Sequence, residues 1–204
     1  MDVAIVKYNA GNICSVVNAM HRLGVEPLVT DDPEKLMAAD RVIFPGQGEA
    51  SSTMTYLRER GLDEVIRSLR QPVLGICIGM QLMCRHSEEG DTECLGIFDA
   101  EVKRFLPQCH EDKVPQMGWN TIVDTRSQLF KGFHEPEFVY FVHSYYVPMN
   151  EHTAACTEYT RPYSSALHKG NFYILYEPFP GSSESADCDH SGAGPGKLQS
   201  GESI

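Results

Sequence analysis

Cys77 stands between two glycines in the run Gly75-Ile76-Cys77-Ile78-Gly79, the cysteine form of a nucleophile elbow. At a sharp strand-to-helix turn a side chain is thrust out at the carboxyl end of a sheet, and glycines on either side let neighbouring backbone crowd against it. The N-terminus of the following helix points at the sulfur and favours thiolate over thiol. The chemistry on offer is nucleophilic attack with a covalent intermediate. A buried core cysteine between two isoleucines is the competing reading, and the spacing, the glycines and the strand-helix junction weigh against it. A second turn, Pro45-Gly46-Gln47-Gly48-Glu49-Ala50, also follows a predicted strand and precedes a helix. It should lie at the same sheet edge, where the backbone N–H groups of Gly46 and Gly48 could hold an oxyanion beside Cys77. Taken alone, such a turn is more often a tight connection.

The elements that must position these residues follow from apolar patterning. Val3-Ala4-Ile5-Val6, Pro27 to Thr30, Arg41 to Phe44 and Pro72 to Ile76 read as strands. Between them, Ile13, Val16, Val17, Met20 and Leu23 form one helix face ended by Gly24. Asp31-Asp32-Pro33-Glu34 starts a short helix through Met37, with an N-cap acid and proline in the first turn. Helices are also predicted over Ser51 to Arg58 and Leu62 to Arg70. This alternation predicts an α/β fold, a doubly wound, mostly parallel sheet covered on both faces. From about Gly96 short β-type runs replace the helical period: Glu101 to Phe105, Asn120 to Val123, Phe138 to Val142 and Asn171 to Leu175. They are expected to add strands, antiparallel ones among them, to the same domain, 1–180. The last 24 residues, 181–204, hold six Ser and five Gly, and such a segment is expected to be disordered.

Composition narrows the function classes. With 17 Lys and Arg against 28 Asp and Glu, the 204-residue chain carries a formal charge of −11, which excludes nucleic-acid binding by bulk charge. No run reaches the length of a membrane span, and the acidic start does not read as a signal peptide, so a cytosolic protein is expected. Seven cysteines, an odd count without a zinc-type C-x-x-C pair, argue for reduced thiols. No metal or organic cofactor is expected, since no histidine spacing suits a metal and no P-loop is present.

Gly75 to Gln81 together with Pro45 to Gly48 resembles the class I, triad-type glutamine amidotransferases, which implies a flavodoxin-like sheet of that type. Lys7-Tyr8-Asn9-Ala10-Gly11-Asn12, Pro115-Gln116-Met117-Gly118-Trp119-Asn120 and Tyr140-Phe141-Val142-His143-Ser144-Tyr145-Tyr146 are similar to the glutaminase subunits of imidazole glycerol phosphate synthase, an enzyme of histidine biosynthesis. The match runs to about Tyr173. The resemblance implies hydrolysis of glutamine to glutamate and ammonia, the ammonia passing to a cyclase subunit of (β/α)₈ type in a heterodimer. It implies Cys77 as nucleophile, the backbone at Gly46, Gly48 and Ile78 as the oxyanion site, and Gln81, Glu88, His143, Ser144 and Tyr145 as substrate-binding residues. Asn12, Met117, Trp119 and Asn120 would face the partner. Free glutamine carries an ammonium and a carboxylate, so a pocket with an acid such as Glu88 and a donor such as Ser144 suits it. From the residues alone, Gln81 could be a solvated helix glutamine and Trp119 ordinary core, and His143 reads first as a satisfied core histidine.

The chain departs from the family where the triad should be completed. A histidine oriented by a carboxylate is expected as His-Pro-Glu just after Asn171-Phe172-Tyr173, and the sequence reads Ile174-Leu175-Tyr176-Glu177-Pro178. His168 would sit about 20 Å away, at the far end of that strand. His190 lies in the low-complexity tail. Severely reduced glutaminase activity is therefore expected, and a catalytically impaired docking subunit of the same complex is the alternative. Another Cys-elbow thiol hydrolase is a third possibility.

Overall fold

The computed structural model describes residues 1–8, 13–110, 112–133 and 136–176. The expectations for Asn12, Glu177, His190 and the 181–204 tail lie outside the described residues. The first half alternates as its apolar runs predict. In chain order it comprises β1 (Val3–Val6), α1 (Ile13–Arg22), β2 (Leu28–Thr30), α2 (Pro33–Ala38), β3 (Arg41–Phe44), α3 (Ala50–Glu59), α4 (Leu62–Ser68), β4 (Val73–Ile76) and α5 (Ile78–Met83). The Asp32 side chain accepts from the Glu34 backbone N–H and Pro33 sits in the first turn of α2, the start its sequence calls for. β1, β2, β3 and β4 pair parallel.

Alternate strand residues go to opposite faces of this sheet. Val3, Ile5, Ile43 and Ile76 pack with Val16 of α1, while Ala4, Val6, Val42, Phe44 and Val73 pack with Leu36, Met54, Leu57, Leu62 and Met80 of α2 to α5. Burial on both faces is why β1 and β3 read as continuous apolar runs without the polar alternation of a half-solvated strand.

The second half supplies β5 (His86–Ser87), β6 (Thr92–Glu93), β7 (Glu101–Arg104), β8 (Gln116–Ile122), a 3-10 turn at Gln128–Phe130, β9 (Glu137–His143), β10 (Tyr145–Tyr146), β11 (Thr153–Glu158), β12 (Pro162–Lys169) and β13 (Phe172–Leu175). β13 runs parallel beside β4, and β12 and β11 continue antiparallel from it, giving a seven-stranded sheet in the order β11-β12-β13-β4-β3-β1-β2. The remaining strands form a four-stranded sheet, β10-β7-β5-β6, and the two-stranded β8–β9 ribbon. β8 begins four residues before the Asn120 start read from sequence, because Gly118 and Gln116 carry no β-type signal of their own.

Cys77, Cys84, Cys94, Cys109 and Cys156 stand outside any disulfide. Cys14 is disulfide-bonded, so the expectation of reduced thiols holds for the five and not for Cys14. Burial pushes the Cys94 thiol up to about 12 and that of Cys84 higher still. Both are inert core groups.

Candidate active site

Cys77 is the residue between β4 and α5, and its backbone sits at φ 53°, ψ −107°, a conformation that costs a non-glycine residue on the order of 1–3 kcal/mol. The surroundings hold it there. Its N–H donates to the Leu175 carbonyl at 3.0 Å, and its own carbonyl accepts from the Gln81 N–H at 3.1 Å. The glycines of the motif are needed by close approach. A Cβ on Gly79 would fall far inside the 3.0 Å that Cβ atoms respect from the Phe44 carbonyl oxygen, and one on Gly75 would lie 2.9 Å from Ile174 and 3.0 Å from the Gly79 backbone. Gly46 passes over Ile78 and the Tyr8 hydroxyl, which itself donates to the Pro45 carbonyl. Parallel pairing of β3 with β4 thus puts the Pro45–Gly48 loop beside the sulfur, at the shared carboxyl edge.

A cleft of about 340 Å³ opens there, lined by Cys77 and Ile78 of the elbow and by Gln47 and Gly48 of the preceding loop. Gln81 and Glu89 line it from α5 and the segment after β5. Pro115, Val142, His143, Ser144, Tyr145 and Tyr176 complete it. Of the three oxyanion candidates, Gly48 and Ile78 reach the cleft, while Gly46 lies packed against Ile78 and Tyr8. The first N–H groups of α5, beginning at Ile78, have no partner within the helix, and that geometry suits a developing negative charge.

The polar wall is a connected network. The Gln81 amide nitrogen donates to Ser87 Oγ at 2.9 Å and to Glu89 Oε2 at 2.6 Å, and the same Glu89 oxygen accepts from the Ala50 N–H at 3.1 Å. Burial holds the Glu89 carboxyl above the usual carboxylate range, against the lowering effect of those bonds. Glu88, the acid expected here, is turned away: its carboxylate accepts from the Arg104 backbone N–H at 2.7 Å. Acid placement beyond α5 depends on a tight loop, where side-chain direction changes residue by residue and a helical count gives no guide. Glu89 is the residue that sequence reasoning missed, together with Gln47, Pro115, Val142 and Tyr176.

His143 lines the cleft and is also a packed aromatic. Its ring stacks on Tyr176 at 4.1 Å, Nδ1 lies 2.7 Å from the Tyr145 carbonyl, and Nε2 lies 3.3 Å from the Tyr163 hydroxyl. Burial pushes its pKa down to about 4, so it is neutral near pH 7, with Nδ1–H donating to Tyr145. His168 is remote, on β12 beside the amino end of β13, stacked on half-buried Tyr173 and bonded to the Gly170 carbonyl.

The β8–β9 ribbon has one buried and one open face. Register pairs Met117 with Val142, Trp119 with Tyr140 and Thr121 with Phe138, and Met117, Trp119, Phe138 and Val142 are 63%, 56%, 60% and 45% exposed. Asn120, grouped with Met117 and Trp119 in the sequence reading, belongs to the opposite face by the two-residue period of a strand. Its amide donates to the Glu158 carbonyl at 2.7 Å. Val142 belongs both to this apolar face and to the cleft wall. Among the described residues no group of three or more His, Cys, Asp or Glu is arranged to hold a metal ion, and no helix is long and apolar enough to cross a membrane.

Comparison with known proteins places the chain in a family. Residues 5–171 match the family model of class I glutamine amidotransferases. The chain is 67% identical over 173 residues, 85% of its own length and 88% of the relative's, to an imidazole glycerol phosphate synthase subunit HisH of Bacteroides thetaiotaomicron. It is 43% identical over 177 residues, 85% of this chain and 87% of the relative, to a subunit of that name from Idiomarina loihiensis. A solved glutamine amidotransferase superposes with a TM-score of 0.65 at 18% identity, covering 85% of this chain and 87% of that one. Another, from Thermotoga maritima, gives 0.57 at 17% identity over 85% and 74%, and at such identities both show the shared fold alone. By fold, by elbow and by extent of match, the chain belongs to the class I glutamine amidotransferase family.

Proposed function

We propose that this chain is the glutaminase subunit of an imidazole glycerol phosphate synthase, acting in the cytosol without a cofactor and delivering ammonia to a cyclase subunit docked on the open β8–β9 face. The observation that carries the reading is Cys77, held at φ 53° at a cleft whose polar wall is an amide and a carboxylate. The thiolate attacks the carboxamide carbon of glutamine, and the oxygen takes the charge beside the Gly48 and Ile78 backbone. The amide nitrogen takes up one proton and leaves as ammonia as the thioester forms, and water then cleaves the thioester to glutamate, giving up its two protons and restoring the thiolate. Glu89 and the Gln81 carbonyl oxygen suit the substrate ammonium; donors at Ser144 and Tyr145 suit its carboxylate. Val142, shared by cleft and docking face, makes a short route for ammonia into the partner.

Proton transfer is the weak point. Among the described residues His143 is the imidazole that lines the cleft, and a base whose pKa is pushed down to about 4 is poorly matched to a thiol. Ile174-Leu175-Tyr176 stands where the family's strand leads into His-Pro-Glu. Turnover is expected to be slow, and this favours, as a second reading, a docking subunit with impaired catalysis. The test is glutamate release from glutamine with the cyclase present, set against Cys77→Ala. Release above that variant supports the first reading, and co-purification without it supports the second; a cyclase that does not bind at all overturns both.

A further inference from the structure

Ser87 is fully buried one residue before Glu88, and nothing in the chemistry above uses it. Its hydroxyl oxygen accepts from the Gln81 side-chain amide at 2.9 Å and from the Glu89 backbone N–H at 3.1 Å. We infer that Ser87 is a positioning residue for the substrate ammonium: it fixes the Gln81 amide so that only its carbonyl oxygen can face the ligand, and it anchors the loop that carries the Glu89 carboxylate. This inference rests on the proposed glutamine pocket.

The orientation is over-determined by hydrogen-bond chemistry. An ionised Glu89 carboxylate can only accept, so the Gln81 atom 2.6 Å from it must be the NH₂ group. The second hydrogen of that group goes to Ser87 Oγ, whose other accepted bond comes from a backbone N–H that can only donate. Both Gln81 hydrogens are therefore committed inside the wall, and what remains is Oε1, an acceptor with no donor capacity. A cationic ligand group is welcome there and a neutral donor-acceptor is not discriminated. Glu89 Oε2 is likewise committed, to Gln81 and to the Ala50 N–H, leaving Oε1 as its remaining acceptor. Without the Ser87 hydroxyl, the Gln81 amide is held by Glu89 alone, one of its hydrogens is left uncommitted, and the part-buried Glu89 N–H loses its acceptor.

The test measures labelling of Cys77 by two electrophiles of glutamine shape, one bearing an α-ammonium and one with hydrogen in its place, so that no turnover is needed. The unsubstituted protein should label at lower half-saturating concentration with the ammonium form. Ser87→Ala should raise that concentration by about tenfold for the ammonium form only, leave the deamino form and iodoacetamide labelling unchanged, and leave the limiting rate unchanged. Ser87→Thr, which keeps the oxygen, should restore the preference. A Ser87→Ala protein that retains the full preference, or loses both forms equally, overturns the inference. An unsubstituted protein with no preference between the two forms sinks the glutamine pocket itself. Should Ser87→Ala fail to fold, the unsubstituted chain decides by NMR: the Gln81 amide protons must exchange with solvent more slowly than those of exposed glutamines, and equal exchange overturns the inference.

Discussion

Replacing Gly79 with alanine sets two effects of opposite sign against each other. Gly79 lies in the first turn of α5, so alanine raises helix propensity by about 1 kcal/mol. Its new Cβ, however, meets the Phe44 carbonyl oxygen, and the two must part by nearly an ångström to reach 3.0 Å. That oxygen cannot give as a side chain would. Phe44 is the last residue of β3, a strand paired on both sides, and its ring is fully buried. Overpacking against such a neighbour falls at the upper end of the usual range, about 3 kcal/mol. The net loss is about 2 kcal/mol, or roughly 4–8 °C in Tm for a chain of this size. Urea unfolding of the unsubstituted chain, Gly79→Ala and a control, Gly96→Ala, measures it. A Cβ on Gly96 meets nothing within 4 Å, and its φ of +67° leaves only the left-handed cost of about 1 kcal/mol. Because Phe44 leads into the Pro45–Gly48 loop, Cys77 labelling by a glutamine-like electrophile should slow in the same variant. A Gly79→Ala chain as stable as the unsubstituted one, or less destabilised than Gly96→Ala, would refute the close-approach account of the motif.

Three further outcomes are expected. Cys77→Gly should abolish labelling at that position yet raise stability by about 1 kcal/mol, since glycine accepts φ 53° without strain; a lower melting temperature would contradict the strain. His143 is held neutral at about 4, below its ordinary 6.5, so protons bind the unfolded chain more readily between these values. Its contribution is whole above pH 6.5 and fades as pH falls toward 4, by up to about 3 kcal/mol, and urea midpoints across that window should lose this part of their slope in His143→Phe. Trp119→Ala, on the open ribbon face, should leave the free chain's unfolding midpoint within about 0.5 kcal/mol while weakening cyclase binding by about 2 kcal/mol, roughly thirtyfold; titration with the cyclase decides.

The parallel half of the fold was legible because its strands are buried on both faces, so Val3-Ala4-Ile5-Val6 and Arg41 to Phe44 announce themselves as apolar runs, and the helices between them keep their period. The elbow was legible because close backbone approach admits only glycine at 75 and 79. What escaped was decided by loop geometry. Glu88 and Glu89 are adjacent and chemically equal, and only the bend after β5 tells which one turns toward Gln81 and which toward Arg104. The faces of Met117, Trp119 and Asn120 escaped for a related reason: a strand read only from Asn120 hides the alternation that turns Met117 and Trp119 to one side of the ribbon and Asn120 to the other. The cleft role of Tyr176 had no signal in a single sequence, since it depends on β13 lying beside β4 across a long stretch of intervening chain.

That pairing has a consequence for how the protein comes into being. The strand bearing the thiol is held on one side by a neighbour made shortly before it and on the other by residues 172–175, made much later. At ordinary translation speeds of 5–20 residues per second, roughly 5–20 s separate the two. During that interval the nascent polypeptide has its cysteine but one raw sheet edge, with the Leu175 carbonyl that grips the turn still unmade. Reactivity therefore arrives nearly last in synthesis, and the waiting edge is the place where a chaperone or a stray strand would first take hold.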